Sequence, residues 1–422
     1  MKGPQPVIYD TDYGPFIDDV FALGLLANSA DLLDLQYVIA TGENPTLGAQ
    51  CAAKHLGLAD FGDIPVGIGA EFPKYSLRGG VCAQPGLLGF ALEERCSEGP
   101  DVPVDDDGIA AIASLVGSSD RDDWWYITVG GQSTLKKLFE DYPEAGDKFS
   151  TLIVMGGNWC AGFQPYPDVN APTDETNIAC DPAAANALVD SNFSPFDKIY
   201  YVPVVVADEI GGEDYIKIVE AANSGADLGA AATLDFYKAW SAAGRADEDL
   251  LIYLEALTYD PETESTPQFD ACAVMLALEL LDDDSCENRL SFFDFDAVHF
   301  LESTDDGLQP FPEAPRSSFS LVPENLQIDV LPDQCPALTE FSFDPADTPE
   351  EDMPVTVALG FASPEAKDSF YAEMAERMAG TFGGTTKSPK CFNKTPKGKA
   401  PKASKASKKS KSLKATKSPE MA

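Results

Sequence analysis

The stretch Pro6-Val-Ile-Tyr-Asp10-Thr-Asp12-Tyr-Gly14-Pro-Phe-Ile-Asp18-Asp19-Val-Phe-Ala22 carries four acidic residues within ten positions. Val7, Ile8 and Tyr9, just ahead of them, are a short apolar run of strand-forming residues. Gly14 and Pro15 punctuate a turn. From Asp18 onward, apolar residues recur at Val20, Phe21, Leu23, Leu25 and Leu26, as in a buried helix. Asp10, Asp12, Asp18 and Asp19 therefore crowd one strand–loop–helix corner. Like charges that close repel unless a cation lies among them. Hard oxygen donors with no Cys or His nearby point to Ca²⁺ or Mg²⁺. Open α/β sheets bind ligands beyond the C-terminal ends of their strands, which is where this corner falls. A turn former or a helix cap accounts for one such Asp and poorly for four.

Outward from this corner, strand-like apolar runs recur at residues 36–41, 64–69, 124–129, 152–155 and 198–206. Helical patterns lie between or after them, at 48–56, 108–116, 133–142, 182–191, 215–223 and 228–243. This alternation predicts an α/β fold, a Rossmann-like and mostly parallel central sheet with helices on both faces. Residues 291–355 are rich in Pro and Asp and read as short strands, and a last strand (355–359) and helix (364–378) close the domain. The expected organisation is one α/β domain over 1–382 and a disordered basic tail over 383–422.

The chain has 422 residues, and a hydrophobic content of 44% supports a large core. No apolar run of 18 residues appears, so no membrane span is expected. No charged and then apolar leader precedes the first strand. The chain as given reads as cytoplasmic, and a leader ahead of it would make it secreted. From Lys387 onward lie 12 of the 29 basic residues and one of the 70 acidic ones, which leaves the rest of the chain at a net −52. A body that acidic repels nucleic-acid phosphates and suits a small neutral substrate or a cation site. Nine cysteines include no CxxC pair, so zinc is not expected; several fall in loops, where disulfides are open to them. The tail is Lys, Ser, Ala and Pro, too polar to build a core. Seven of its lysines recur every third residue from Lys399 to Lys417, which lines them along one edge of a polyproline-II-like chain and suits contact with polyanionic surfaces.

Four further stretches join the corner. Ala40-Thr-Gly-Glu43-Asn44 ends the second strand, and Tyr126-Ile-Thr-Val129-Gly130-Gly131 runs from a strand into a helix. Leu152-Ile-Val-Met155-Gly156-Gly157-Asn158 precedes Asp174-Glu175-Thr-Asn177-Ile-Ala-Cys-Asp181-Pro182. Thr266-Pro-Gln-Phe269-Asp270 opens a helix with a buried face. Asp181 with Pro182 reads as a helix cap with Pro at the first position. Glu175 and Asn177 alternate in what reads as an extended segment, so both face one ligand. A carboxylate and an amide suit sugar hydroxyls, which both donate and accept. Of the two histidines, His55 and His299, neither falls in a motif, and His55 reads as structural.

These five landmarks, in this order, resemble the inosine–uridine-preferring nucleoside hydrolases over roughly residues 6–378. The first matches the longer form of that family's Asp-x-Asp signature, with Phe16 where the form has its extra Asp. The haloacid-dehalogenase motif also begins Asp-x-Asp, but it needs Thr or Val where this chain has Gly14. The resemblance implies Ca²⁺-dependent hydrolysis of a ribonucleoside N-glycosidic bond. It implies that Asp12, Asp19, Asp270 and the Val129 carbonyl hold the ion, and that Asp12 takes the proton of the attacking water. Asp18, Asn44, Met155, Asn170, Glu175 and Asn177 would line the sugar. Phe269 stands where some members carry a protonating His, so base departure would rest on aromatic stacking by Phe269 or Trp159. The partner is a small nucleoside, and a homo-oligomer is compatible with the chain. The departures at Phe16, Glu43, Thr176 and Phe269 keep a second class open: a non-catalytic ribose- and Ca²⁺-binding protein anchored by its lysine-rich tail.

Overall fold

The computed structural model describes residues 3–13, 17–73, 96, 102–157, 176–203, 206–246, 260–281, 289–295, 298–299, 318–319 and 353–381. Its strands are β1 (Gln5–Thr11), β2 (Leu33–Gly42), β3 (Val66–Glu71), β4 (Val104–Asp105), β5 (Trp124–Thr128), β6 (Phe149–Met155), β7 (Lys198–Val202), β8 (Leu290–Phe295), β9 (Val298–His299), β10 (Ser318–Phe319) and β11 (Val355–Phe361). The helices are α1 (Asp18–Ala27), α2 (Pro45–Leu58), α3 (Gly108–Gly117), α4 (Ser133–Asp141), α5 (Pro143–Gly146), α6 (Thr176–Ala179), α7 (Pro182–Val189), α8 (Gly212–Ser224), α9 (Leu228–Ala246), α10 (Phe269–Leu281) and α11 (Pro364–Met378).

Nine strands form one sheet in the order β4-β3-β2-β1-β5-β6-β7-β11-β8, and β9 and β10 pair separately. Every pairing in the large sheet is parallel except β8 with β11. The chain builds outward from β1 to β4 on one side and resumes at β5 on the other. The β1–β5 seam is thus the switch point of the topology, where such sheets open a crevice for ligands.

Alternation along the strands separates two cores. Val7, Tyr9, Val38, Ala40, Ile127 and Ile153 pack with α1, α2 and α8 to α11 on one face. Ile8, Tyr37, Ile39, Tyr126, Leu152 and Val154 pack with α3, α4 and α7 on the other. The α1 helix is buried along all ten residues, because α2, α9, α10 and α11 pack around it. Uniform apolarity, rather than an amphipathic stripe, is what such a position demands.

The mostly parallel sheet matches the expectation, with shifted edges. The run expected over 198–206 ends at Val202, since Pro203 has no N–H to continue the ladder. Asp181 caps α7 by accepting from the Ala184 N–H at 2.9 Å, with Pro182 next in the chain. His55 is buried and fully engaged: Nδ1 lies 3.0 Å from the Tyr13 hydroxyl and Nε2 lies 3.2 Å from that of Thr233. Burial pushes its pKa down to about 3. Cys51 in α2 is disulfide-bonded to Cys96, and Cys180 is also in a disulfide. The 45-residue separation of the first pair corresponds to about 4 kcal/mol of lost unfolded-chain entropy. Among the described residues, no helix is long and apolar enough to cross a membrane. The tail over 383–422 and most of 291–355 lie outside the described residues.

Candidate metal and substrate site

The end of β1 sends acidic chemistry to both faces of the sheet. Asp10 shares a face with Ile8, and Thr11 shares one with Tyr9. Asp10 is completely buried and accepts from the Tyr126 hydroxyl at 2.8 Å and from the Thr41 hydroxyl. The Thr41 hydroxyl also meets that of Thr134, whose oxygen accepts from the Ala70 N–H at 2.8 Å. These bonds tie together the ends of β1, β2, β3 and β5 and the start of α4. Burial pushes the Asp10 carboxyl up to about 7, against the pull of its hydrogen bonds.

On the other face the acids meet one another. Asp18 and Asp19 are the first two residues of α1, and Asp270 is the second of α10. The two helices pack together, which brings one oxygen from each of the three carboxyls within 4.8 Å of the others. All three residues are buried. The Asp270 N–H donates to Asp18 Oδ2 at 3.4 Å, and the Thr11 hydroxyl donates to Asp19. Both helices direct their positive N-terminal ends here, which favours negative charge. That help is insufficient. Burial, then repulsion from Asp18, Asp19 and Asp12, holds the Asp270 carboxyl well above the ordinary range. A dry cluster of three acids must either keep protons or gain a cation. The donors are all hard oxygens, so the residues fit Ca²⁺ or Mg²⁺.

Asp12 lies close enough to Asp270 to repel it, and Val129 continues from the neighbouring strand β5. The Val129 N–H donates to the Asp10 carbonyl at 2.8 Å, which extends the β1–β5 seam past the end of β5. Asp12 lies against Gly130, where a Cβ would come within 2.8 Å of the Asp12 nitrogen and 3.0 Å of Oδ1. Only glycine leaves Asp12 room beside the Val129 carbonyl. That carbonyl accepts from Asn177 Nδ2 at 2.6 Å. Phe269 begins α10 beside Asp270 and is half-buried against the larger core.

A family model described as inosine-uridine preferring nucleoside hydrolase matches residues 7–368. This chain belongs to that family. A pyrimidine-specific ribonucleoside hydrolase, RihA of Escherichia coli O127:H6, is 26% identical over 212 residues. That match covers 48% of this chain and 59% of RihA, so the chain spans little more than half of the curated relative it resembles. Two solved structures share the fold, each with a TM-score of 0.55 and coverage of 89% of this chain and 99% of the other. They are a plant nucleoside hydrolase, PpNRh1, at 17% identity, and a purine-preferring ribonucleoside hydrolase from Gardnerella vaginalis at 19%.

Within this nucleoside hydrolase fold, Asp12, Asn44, Val129 and Met155 lie at or just past the C-terminal ends of β1, β2, β5 and β6, while Asp18, Asp19, Phe269 and Asp270 open helices. The tightest acidic trio holds Asp18 beside Asp19 and Asp270, where the sequence reading grouped Asp12 with those two. Adjacent positions in the first turn of α1 explain it: Asp18 and Asp19 both face the start of α10. Asn44 is exposed and caps α2, accepting from the Leu47 N–H at 3.2 Å, with Pro45 following. Asn177 departs from the extended segment expected for it. It lies in the single helical turn α6, buried, with its amide turned toward Val129 and Met155. Phe16, Asn158, Trp159, Asn170 and Glu175 lie outside the described residues.

The residues that sequence reasoning missed are the hydroxyls: Thr11, Thr41, Tyr126 and Thr134. Each sits near the end of a strand or the start of a helix bordering the switch point. The alternation rule assigns their faces once the strand order is known, and the order is what the sequence alone does not reveal.

Proposed function

We propose that this chain is a Ca²⁺-dependent ribonucleoside hydrolase, cleaving the N-glycosidic bond to release free base and ribose. The observation that carries the proposal is the buried trio of Asp18, Asp19 and Asp270 at the switch point of a nucleoside hydrolase fold. Asp12, Asp19, Asp270 and the Val129 carbonyl would hold the ion, which takes six to eight oxygens and so leaves room for water and sugar. When bound, Ca²⁺ acidifies a water in contact with it.

The remaining chemistry belongs to the chain's own groups. Asp12 accepts the proton of the attacking water. Asp18 and Asn44 bind ribose hydroxyls, and Asn170, Glu175 and Asn177 lie along the sugar. Met155 borders the sugar at the end of β6. The transition state has oxocarbenium character, and carboxylates fixed around it stabilise the developing positive charge without reorganising. Phe269, in place of an acid, offers the leaving base a ring face.

The test is ribose release from a panel of purine and pyrimidine nucleosides, with Ca²⁺ and after chelation. Release that depends on Ca²⁺ is expected. Ca²⁺ binding without release from any nucleoside would replace the enzyme with a ribose- and Ca²⁺-binding protein.

A further inference from the structure

The β5–β6 ladder ends at the pair Thr128–Val154. One residue further on, Val129 and Met155 are not paired in the β5–β6 ladder, and a single amide spans their carbonyls. Asn177 Nδ2 donates to the Val129 oxygen at 2.6 Å and to the Met155 oxygen at 3.2 Å, and it lies 3.1 Å from the Met155 sulfur. All three neighbours are acceptors, which fixes the amide with its nitrogen inward. Asn177 is buried, so these bonds form out of competition with water.

We infer that Asn177 is a positioning residue for the cation: its amide clamps the open ends of β5 and β6 and aims the Val129 carbonyl at the metal site. This rests on the Ca²⁺ reading above and adds to it. The carbonyl has two lone pairs, so accepting from Asn177 leaves one for an ion. Donors behind a metal ligand set its direction, and their loss costs about 10- to 100-fold in metal affinity.

The test measures Ca²⁺ affinity of the full chain by calorimetry, with no nucleoside present, for the parent, Asn177→Ala and Asn177→Asp. The second variant keeps the volume but turns oxygens toward two carbonyls. Both should bind Ca²⁺ about tenfold or more weakly. A residue that only touches sugar would leave this affinity untouched and raise KM alone. Unchanged Ca²⁺ affinity in Asn177→Ala therefore overturns the inference while leaving the hydrolase reading standing. So does equal or tighter binding in Asn177→Asp, which would make position 177 a direct ligand. A parent chain that binds no Ca²⁺ overturns the metal reading and the clamp with it. Asn177→Ser, which retains a short donor, serves in the same measurement if Asn177→Ala loses cooperative thermal unfolding.

Discussion

Asp10 and the Asp18–Asp19–Asp270 trio are both buried carboxyl sites at the end of β1, on opposite faces of the sheet, and they solve burial differently. Asp10 is surrounded by neutral donors, the hydroxyls of Tyr126 and Thr41, and the protein satisfies it from within. The trio has hydroxyl and backbone donors too, yet its acids lie close together, and Asp270 is raised first by burial and then by the repulsion of Asp18, Asp19 and Asp12. A buried acid with donors of its own is architecture. Buried acids crowded within a few ångströms of one another must share protons or a cation. The contrast separates a carboxylate satisfied by hydroxyls from an acidic cluster that begins eight residues later in the sequence, a distinction that acidic residues counted along the chain do not make.

The comparison breaks most visibly at Asp19. Asp19→Ala removes one oxygen ligand from the trio, and both Ca²⁺ binding and turnover should disappear. Calorimetry is the check; a variant that binds Ca²⁺ as the parent does would show the site to be elsewhere. Asp12 tests chemistry as well as the ligand set, and its variant is assayed at saturating Ca²⁺. Asp12→Asn keeps the shape and removes the proton acceptor, so kcat should fall by roughly 10²-fold or more, with a smaller change in KM. Near-normal turnover would take the base role from Asp12.

The opposite face sharpens the contrast. Asp10→Asn keeps the volume but places an amide nitrogen against a hydroxyl that now donates. It should cost about 2–3 kcal/mol in unfolding free energy. Ca²⁺ affinity should change by less than about tenfold. A large loss of Ca²⁺ with intact stability would merge the two sites into one and cancel the distinction.

Much of this arrangement was legible in the sequence, for local reasons. Val7-Ile-Tyr followed by Asp and Gly reads as a strand end, and the apolar residues after Asp18 read as a buried helix. Asp270 lies 252 residues from Asp18, and the apolar pattern after it announces a helix but not its neighbour. Its place came from resemblance to a family. The Asp10 hydroxyl network escaped, because Tyr126 and Thr41 become its neighbours only when β5 and β2 flank β1. Asn177 is named by the sequence, but its backbone is not: period-two alternation implies an extended segment, and the chain makes a helical turn from Thr176 instead. Asn44 shows the reverse, since the capping bond visible in the structure is what an Asn before a Pro already suggests.

His55 carries the comparison to a buried base and gives the smallest expected effect. Like Asp10 it is satisfied by hydroxyls, those of Tyr13 and Thr233, but it sits in the α2 helix away from the acids. Burial holds it neutral in the fold down to about pH 3, while an unfolded histidine takes its proton near pH 6.5. As pH falls below 6.5 the unfolded chain binds the proton first. The contribution of His55 is therefore complete above pH 6.5 and is lost as pH falls toward 3, at about 1.4 kcal/mol per pH unit. Asp10, pushed up to about 7, and Asp270, held well above the ordinary range, bind protons in the fold over this same span and tilt stability the opposite way, so the His55 share, about 2 kcal/mol between pH 6.5 and 5, is read as a difference between parent and variant. His55→Gln can still hydrogen-bond a hydroxyl and does not titrate. Denaturant unfolding of the Ca²⁺-free parent and of this variant at stepped pH should therefore diverge by that amount, the parent losing more stability as pH falls. An unchanged slope in that variant would take this proton uptake away from His55.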